Sequence, residues 1–474
     1  MSDASLDPAL LQRFTGIVGA RHALTSLQDI APYVSEPRGL WHGRTLLVLR
    51  PGSVDEVSRI LQLATQTQTP IVPQGGNTGL VGGQMPDASG GQVVLCMSRL
   101  NTIREIDPLS NTITAEAGVV LQNVQEAAEK VDRLFPLSLA SQGSCQLGGN
   151  LSSNAGGTNV LAYGNARELC LGLEVVLPTG EVFDDLRKLK KDNTGYDLKS
   201  LFIGAEGTLG VITAAVLKLF PQPKGKKVAF AGLPSVQAAL GLFGLASEQA
   251  GGSLTAFELI GGRPYEFTLA HGARVVRPLA SEWPWYALME ISSSRSLEDA
   301  GELMEAVLEA ALEAGLAGDA VVSASVAQAQ ALWDFREKMS ESQKPEGASI
   351  KHDISVPIAS IPAFIEQAEK EVKCLVPGAR LVCFGHMGDG NLHYNISRPV
   401  DAEDADFLAL YRPVNDVVHA VVRQFGGSIS AEHGIGQLKR TELIATAPPV
   451  AIDLMRRMKA VFDPAGIMNP GKVI

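Results

Sequence analysis

The chain has little cysteine, no excess of positive charge and no long apolar run. Its five Cys are an odd number with no CxxC pair among 474 residues. That excludes a disulfide framework and a zinc knuckle, and it fits a reducing, cytoplasmic setting. Lys and Arg number 40 against 51 Asp and Glu, for a net charge of −11, so a nucleic-acid binder is not expected. The densest basic run, LRKLKK at 186–191, is flanked by Asp184, Asp185 and Asp192 and reads as a solvated face. No stretch approaches the ~18 apolar residues of a membrane span. The opening MSDASLDPALLQRF carries Asp3 and Asp7 and lacks a charged n-region before an apolar run, unlike a signal or transit peptide. GxGxxG, GxxxxGK[ST] and CxxCH are all missing. The Rossmann fingerprint, the P-loop and c-type haem attachment are therefore excluded.

What is present is an ordinary globular composition, 45% apolar and 19% charged, long enough for two or three domains. Residues 1–40 read as a helical lead-in. TLLVLR (45–50), Pro70–Pro73, VVLCMSRL (93–100) and TITAEAG (112–118) read as strands. Residues 55–66 have helical periodicity, and GLEVVLPTGEVF (172–183) reads as a hairpin around Pro178-Thr179-Gly180. PQPKGKK at 221–227 is the best linker. Beyond it, helical runs at 298–316, 323–342 and 402–425 alternate with VAFAGL, YALMEIS and ARLVCFGH, and the tail is turn-rich. The pattern is α+β with segregated sheets.

The 48 glycines cluster in blocks. QGGNTGLVGG at 74–83 follows a strand. Its exposed N–H groups, with Asn77 and Thr78, make an anion nest suited to a diphosphate. GSCQLGGNLSSNAGG (143–157) and GAEGTLGVIT (204–213) follow. Three such loops imply a long ligand met by backbone from several sides.

LVCFGHMGDGNLHYNI at 381–396 carries the richest pattern. With Asp389-Gly390 as a two-residue turn, His386 pairs with His393 and Phe384 with Asn395. Both imidazoles then reach one metal, and Asn395 points into the same site. In Ser430–Gly436, Glu432 completes a His₂-carboxylate set with open positions, which suits Zn, Mn, Co or Fe. In ALWDFREKMSES (331–342), Arg336 and Ser340 are i,i+4 on one helix face, and Lys351 follows in a strand before Pro357. Alone, the Arg336 and Ser340 pair reads as a solvated helix face.

Taken in order, QGGNTGLVGG, GSCQLGGNLSSNAGG, KDNTGYDLKSLFIGAEGTLGVIT, GHMGDGNLH and EHG resemble vanillyl-alcohol-oxidase-type flavoproteins with an FAD-linked oxidase cap. The similarity is greatest to the D-2-hydroxyacid dehydrogenase group. The resemblance spans residues 40 to 472. It implies an FAD-binding domain over 1–222, a substrate cap with an antiparallel sheet over 223–420, and a helical C-terminal segment, 421–474, completing the site. It implies that Pro73, Gly75, Gly76, Asn77, Thr78, Gly79 and Leu80 wrap the pyrophosphate. Gly143, Ser144, Gly148, Gly149, Asn150 and Asn154 would lie along the ribityl and isoalloxazine. Glu206, Gly207 and Ile212 would meet the adenosine, and Asn469 the flavin. No His lies between residues 43 and 270, so FAD is expected to be non-covalent despite Cys145.

The resemblance also makes His386, His393 and Glu432 ligands of a divalent metal, with Zn favoured, and His433 the catalytic base. Arg336, Ser340 and Lys351 would hold the substrate carboxylates; two cations in that role suit a dicarboxylate, since a monocarboxylate would leave one buried charge unpaired at about 3–5 kcal/mol. The implied reaction oxidises a D-2-hydroxy acid by hydride transfer to flavin N5. D-2-hydroxyglutarate is the expected substrate and D-lactate the alternative. The expected acceptor is external, such as electron-transfer flavoprotein or a quinone-linked carrier, and a homodimer is compatible. A metal-dependent hydrolase using the same His₂-Glu set is the competing class.

Overall fold

The computed structural model describes residues 7–36 and 38–474. The first six residues, part of the opening discussed above, lie outside it. The chain forms two units. Among the described residues, the first comprises those from 7 to 156, 165–221 and 433–474; the second comprises 157–164 and 222–432. The last segment is not a separate body, because Ile467 and Met468 are buried in the core of the first unit.

The first unit holds β1 (Ala23–Leu24), β2 (Val48–Leu49), β3 (Ile71–Gln74), β4 (Val93–Cys96), β5 (Ile103–Asp107), β6 (Thr112–Glu116), β7 (Arg133–Leu134), β8 (Cys170–Val176), β9 (Val182–Asp185), β10 (Val211–Lys218) and β11 (Phe220–Pro221). One sheet runs β1-β2-β4-β3 with parallel pairs at β2–β4 and β3–β4. A second, antiparallel, runs β5-β6-β10-β8-β9, and β7 pairs β11. The helix Val54–Thr67 starts where Ser53 Oγ accepts from Glu56 N. Its periodic face (Val57, Ile60, Leu61, Ala64) is buried with Leu47, Ile71, Val93 and Leu95, which is the burial that fixes an amphipathic helix.

The second unit is built on one sheet of eight strands: β12 (Gly225–Leu233), β13 (Leu254–Gly261), β14 (Trp285–Ser293), β15 (Asp319–Val322), β16 (Ser349–Ile350), β17 (Asp353–Ser355), β18 (Arg380–His386) and β19 (Asn391–Ser397). The order is β15-β12-β14-β13-β18-β19-β16, with β17 also on β19. Alternate residues enter two cores. Ala229, Phe257, Met289 and Leu392 face one, under the helices Val236–Ala250, Leu297–Glu313 and Ile361–Leu375. Phe230, Ile260, Leu288 and Phe384 face the other with Leu332 and Phe335.

Three expectations are corrected. The run 323–342 is not one helix: Val326–Glu337 ends at Lys338 and a separate turn, Met339–Ser342, follows. Arg336 is therefore buried while Ser340 is exposed. The run 402–425 also breaks, at Leu410. Third, the β18–β19 hairpin does not close on a two-residue turn. Met387–Asp389 coil into a 3₁₀ turn and Gly390 takes φ 85°. The last ladder pair is then Phe384 with His393, and Val382 faces Asn395. The register moves by two residues, which preserves the face each side chain occupies.

Gly390 is required there twice over. Its φ is positive, and a Cβ would lie 2.3 Å from the Val356 carbonyl oxygen. Gly390→Ala is expected to lower the unfolding free energy by about 2 kcal/mol or more, read from the urea midpoint. An unchanged midpoint would contradict the turn described.

Candidate active site

The glycine blocks of the first unit meet in a concave cleft, the shape expected of a small-molecule site. Its wall includes Pro73 of β3, Gly75, Gly76, Asn77, Thr78 and Gly79 after that strand, then Gly148, Gly149 and Asn150 from the helix Leu147–Ser152. Glu206, Gly207, Ile212 and His433 complete this part of the wall. At Gly76 a Cβ would sit 2.1 Å from the Ser144 carbonyl oxygen, so the first two loops pack backbone on backbone. At Gly149 a Cβ would meet nothing within 4 Å. The buried side-chain oxygens of Gln146 and Asn150 have no hydrogen-bond partner. Both residues line the cleft. Open glycine edges and orphaned acceptors on one wall fit a long ligand rich in hydroxyl and amide groups, as FAD is. Gln146 stands within the second glycine block; its polar side chain among small residues was the available signal.

Leu80, Gly143, Ser144, Asn154 and Asn469 are not in the wall. Asn154 is spent locally, its Oδ1 accepting from Arg167 N at 3.0 Å. Asn469 Nδ2 donates to the carbonyls of Gly83 (2.9 Å) and Glu206 (2.8 Å). Glu206, at φ 51°, accepts from Ile435 N at 2.7 Å and Gly436 N at 2.8 Å. Burial pushes this carboxyl up, against the downward pull of the two N–H donors. Glu206 and Asn469 thus knot three distant segments around the cleft, and the Glu206 carboxylate is committed to that knot.

In the second unit the revised register still brings the two imidazoles together. The His386 and His393 ring centroids are 5.8 Å apart. One donor atom from each of His386, His393 and Glu432 lies within 4.8 Å of the others, and His386 Nε2 is 3.4 Å from Glu432 Oε1. This set can hold a divalent cation. Glu432 is placed by its own backbone N–H, which donates to Asp353 Oδ2 at 3.0 Å. Burial pulls the His393 pKa down to about 4, so that ring is neutral at neutral pH, the form able to coordinate a metal. Burial also pulls on His386, but the Glu258 and Glu432 carboxylates outweigh it and hold its pKa well above the usual value.

Glu258 was not singled out from sequence. Fully buried on β13, it is adjacent in register to His386. Its Oε1 accepts from His386 Nδ1 at 2.5 Å, and its Oε2 accepts from Arg336 Nε at 2.7 Å. Burial opposes its ionisation, yet the Arg336 and His386 charges hold its pKa down at about 2. A lone acidic residue within the otherwise uncharged LTAFELIG was the signal. Arg336 is also flanked by the Phe384 ring, 4.7 Å from its guanidinium carbon, and its buried Nη2 has no partner.

Other expected substrate contacts stand differently. Ser340 and Lys351 are exposed. Asn395 shares the His393 face of β19, but its amide is engaged: Oδ1 accepts from His352 N (3.2 Å) and Nδ2 donates to Gln343 (3.1 Å). The unpaired-charge argument for a dicarboxylate is corrected, because Arg336 already has an ionic partner in Glu258.

Comparison with known proteins follows this geometry. The FAD binding domain family matches residues 45–185, and the FAD linked oxidases, C-terminal domain, matches 222–473. A D-2-hydroxyglutarate dehydrogenase of Xanthomonas citri pv. viticola is 37% identical over 98% of this chain and 97% of its own. A mitochondrial one from Danio rerio is 39% identical over 91% of this chain and 79% of its own. A mitochondrial protein of Schizosaccharomyces pombe, provisionally named a D-lactate dehydrogenase, is 36% identical over 99% of this chain and 91% of its own. Among solved structures, p-cresol methylhydroxylase with substrate bound matches at TM-score 0.77 and 16% identity, over 98% of this chain and 96% of that one.

The fold is therefore that of an FAD-binding flavoprotein of the vanillyl-alcohol-oxidase type. The chain belongs to the FAD-linked oxidases and, within them, to the FAD-dependent D-2-hydroxyacid dehydrogenases.

Because the open side of Gly149 faces the cleft without positive-φ strain, Gly149→Leu is expected to leave the fold intact. It should cut the flavin retained per chain several-fold, measured from visible absorbance of the purified protein. Full flavin content would contradict the cleft as the FAD site.

Proposed function

We propose that this chain oxidises D-2-hydroxyglutarate to 2-oxoglutarate with non-covalent FAD as hydride acceptor, aided by a divalent metal, Zn for preference, on His386, His393 and Glu432. When bound, FAD supplies the redox chemistry and the metal a Lewis acid for the substrate's hydroxyl and carboxylate oxygens. The observation that carries the reading is Arg336. A buried guanidinium, fixed on one side by Glu258 and left with an unpartnered Nη2, offers a charge-assisted donor to a carboxylate. It does so in the same unit as a three-donor metal set. The names of the Xanthomonas and Danio relatives support the choice of substrate. Lys351, solvent-facing, is assigned to the distal carboxylate as a point charge, with Ser340 and Asn395 as lesser contacts.

His433 is assigned as general base for the C2 hydroxyl proton. It lines the flavin cleft and follows Glu432 directly in the chain, so one peptide bond joins a metal ligand to the base. An imidazole suits proton abstraction near neutral pH. Electrons then pass to an external acceptor such as electron-transfer flavoprotein or a quinone-linked carrier. A second reading, D-lactate as substrate, is favoured by the name of the S. pombe relative.

Anaerobic mixing with (R)- and (S)-2-hydroxy acids tests this. D-2-hydroxyglutarate should bleach the flavin fastest, its L-isomer should leave it yellow, and His433→Ala should retain FAD yet resist bleaching. Equal bleaching by D-lactate would remove the substrate assignment, and undiminished bleaching in the variant would remove the base. Metal binding should also release a proton. His386 is protonated in the metal-free protein at neutral pH, whereas His393, near 4, has already lost its proton. Zn²⁺ affinity measured by chelator competition should thus rise roughly tenfold per pH unit around neutrality. A flat profile would contradict His386 as a ligand.

A further inference from the structure

The sheet face that carries Glu258, otherwise lined by Ile260, Leu288 and Phe384, holds a second carboxylate. Glu290 on β14 lies in register with Ala256, so it shares a sheet face with Glu258. Trp333 Nε1 donates to Glu290 Oε2 at 3.0 Å, and Arg336, three residues on, donates to Glu258 Oε2. The helix Val326–Glu337 is pinned to the sheet at these two points, through side chains that share one helical face. Phe384 flanks the guanidinium. Arg336 therefore has little freedom to rotate, and its orphaned Nη2 points where the pinning directs it.

On its other oxygen, Glu258 holds His386 Nδ1. That bond fixes the ring and leaves Nε2 as the nitrogen facing Glu432, the carboxylate–histidine arrangement that orients metal ligands. We propose that Glu258 is a positioning residue: one buried carboxylate sets both the nitrogen that His386 turns to the metal and the edge that Arg336 leaves open for a substrate carboxylate. The inference rests on the metal reading above and adds that the metal and carboxylate subsites are coupled through a single side chain.

The chemistry predicts what a neutral isostere does. His386 and Arg336 meet different oxygens of Glu258, and glutamine keeps an acceptor at only one of those two positions, so in Glu258→Gln one of the two contacts loses its acceptor. Flavin-loaded Glu258→Gln should bind Zn²⁺ about 10–100-fold more weakly by chelator competition, or raise KM for D-2-hydroxyglutarate by a comparable factor, at unchanged FAD content. Zn²⁺ affinity and KM both within twofold of the parent would overturn the proposal.

If Glu258→Gln does not accumulate as flavin-loaded protein, Arg336→Met decides. Arg336 also acts as a cation through space on His393, and losing that charge alone would tighten Zn²⁺ binding, so a more-than-twofold loss of Zn²⁺ affinity in that variant supports coupling through Glu258. Parental or tighter affinity overturns it. A parent enzyme that binds no Zn²⁺ would instead refute the metal reading itself, a result distinguishable from a parent and variants that bind alike.

Discussion

A carboxylate removed from water has to be answered by positive charge and donors on each oxygen, or it protonates. Glu258 is answered from both sides, by Arg336 and by His386. That requirement fixes more than a side chain. It holds β13 beside β18 at Glu258–His386, it holds the helix carrying Arg336 against the sheet, and it selects the nitrogen that His386 presents. Removing one partner from such a group leaves an uncompensated buried charge, at about 3–5 kcal/mol. The arrangement therefore has few neighbouring alternatives, which is what a preorganised site needs.

The two units reach their chemistry by different means. In the first, backbone does the work. Glycine edges and a helix start shape the cleft, while Glu206 in its wall and Asn469 outside it tie distant segments together. In the second, a sheet face displays side chains at fixed spacing, and its register decides which of them converge. The chain passes from the second unit to the first between Glu432 and His433, so neighbours in sequence serve different units.

Much of this was legible in the residues. The helix over 54–67, the hairpin around Gly180 and the three glycine loops follow from periodicity and turn chemistry, which are local. The juxtaposition of His386 and His393 was legible because period two survives a register error: moving the β18–β19 pairing by two residues keeps both on one face. What was not legible depends on distance along the chain. Glu258 stands 128 residues from His386, and nothing local announces their contact. The break at Lys338 separates Arg336 from Ser340, and no proline or glycine marks it. The charge balance of Arg336 could not be read without Glu258, so the inference from an unpaired cation went astray.

X-ray absorption at the Zn edge of the Zn-loaded, flavin-bound protein tests the centre of the account most directly. The expected first shell is two imidazole nitrogens with carboxylate or water oxygens at about 2.0–2.2 Å, with the outer-shell scattering of imidazole rings. That scattering should weaken by half in His386→Ala. A sulfur shell near 2.3 Å, or imidazole scattering unchanged by that substitution, would contradict it.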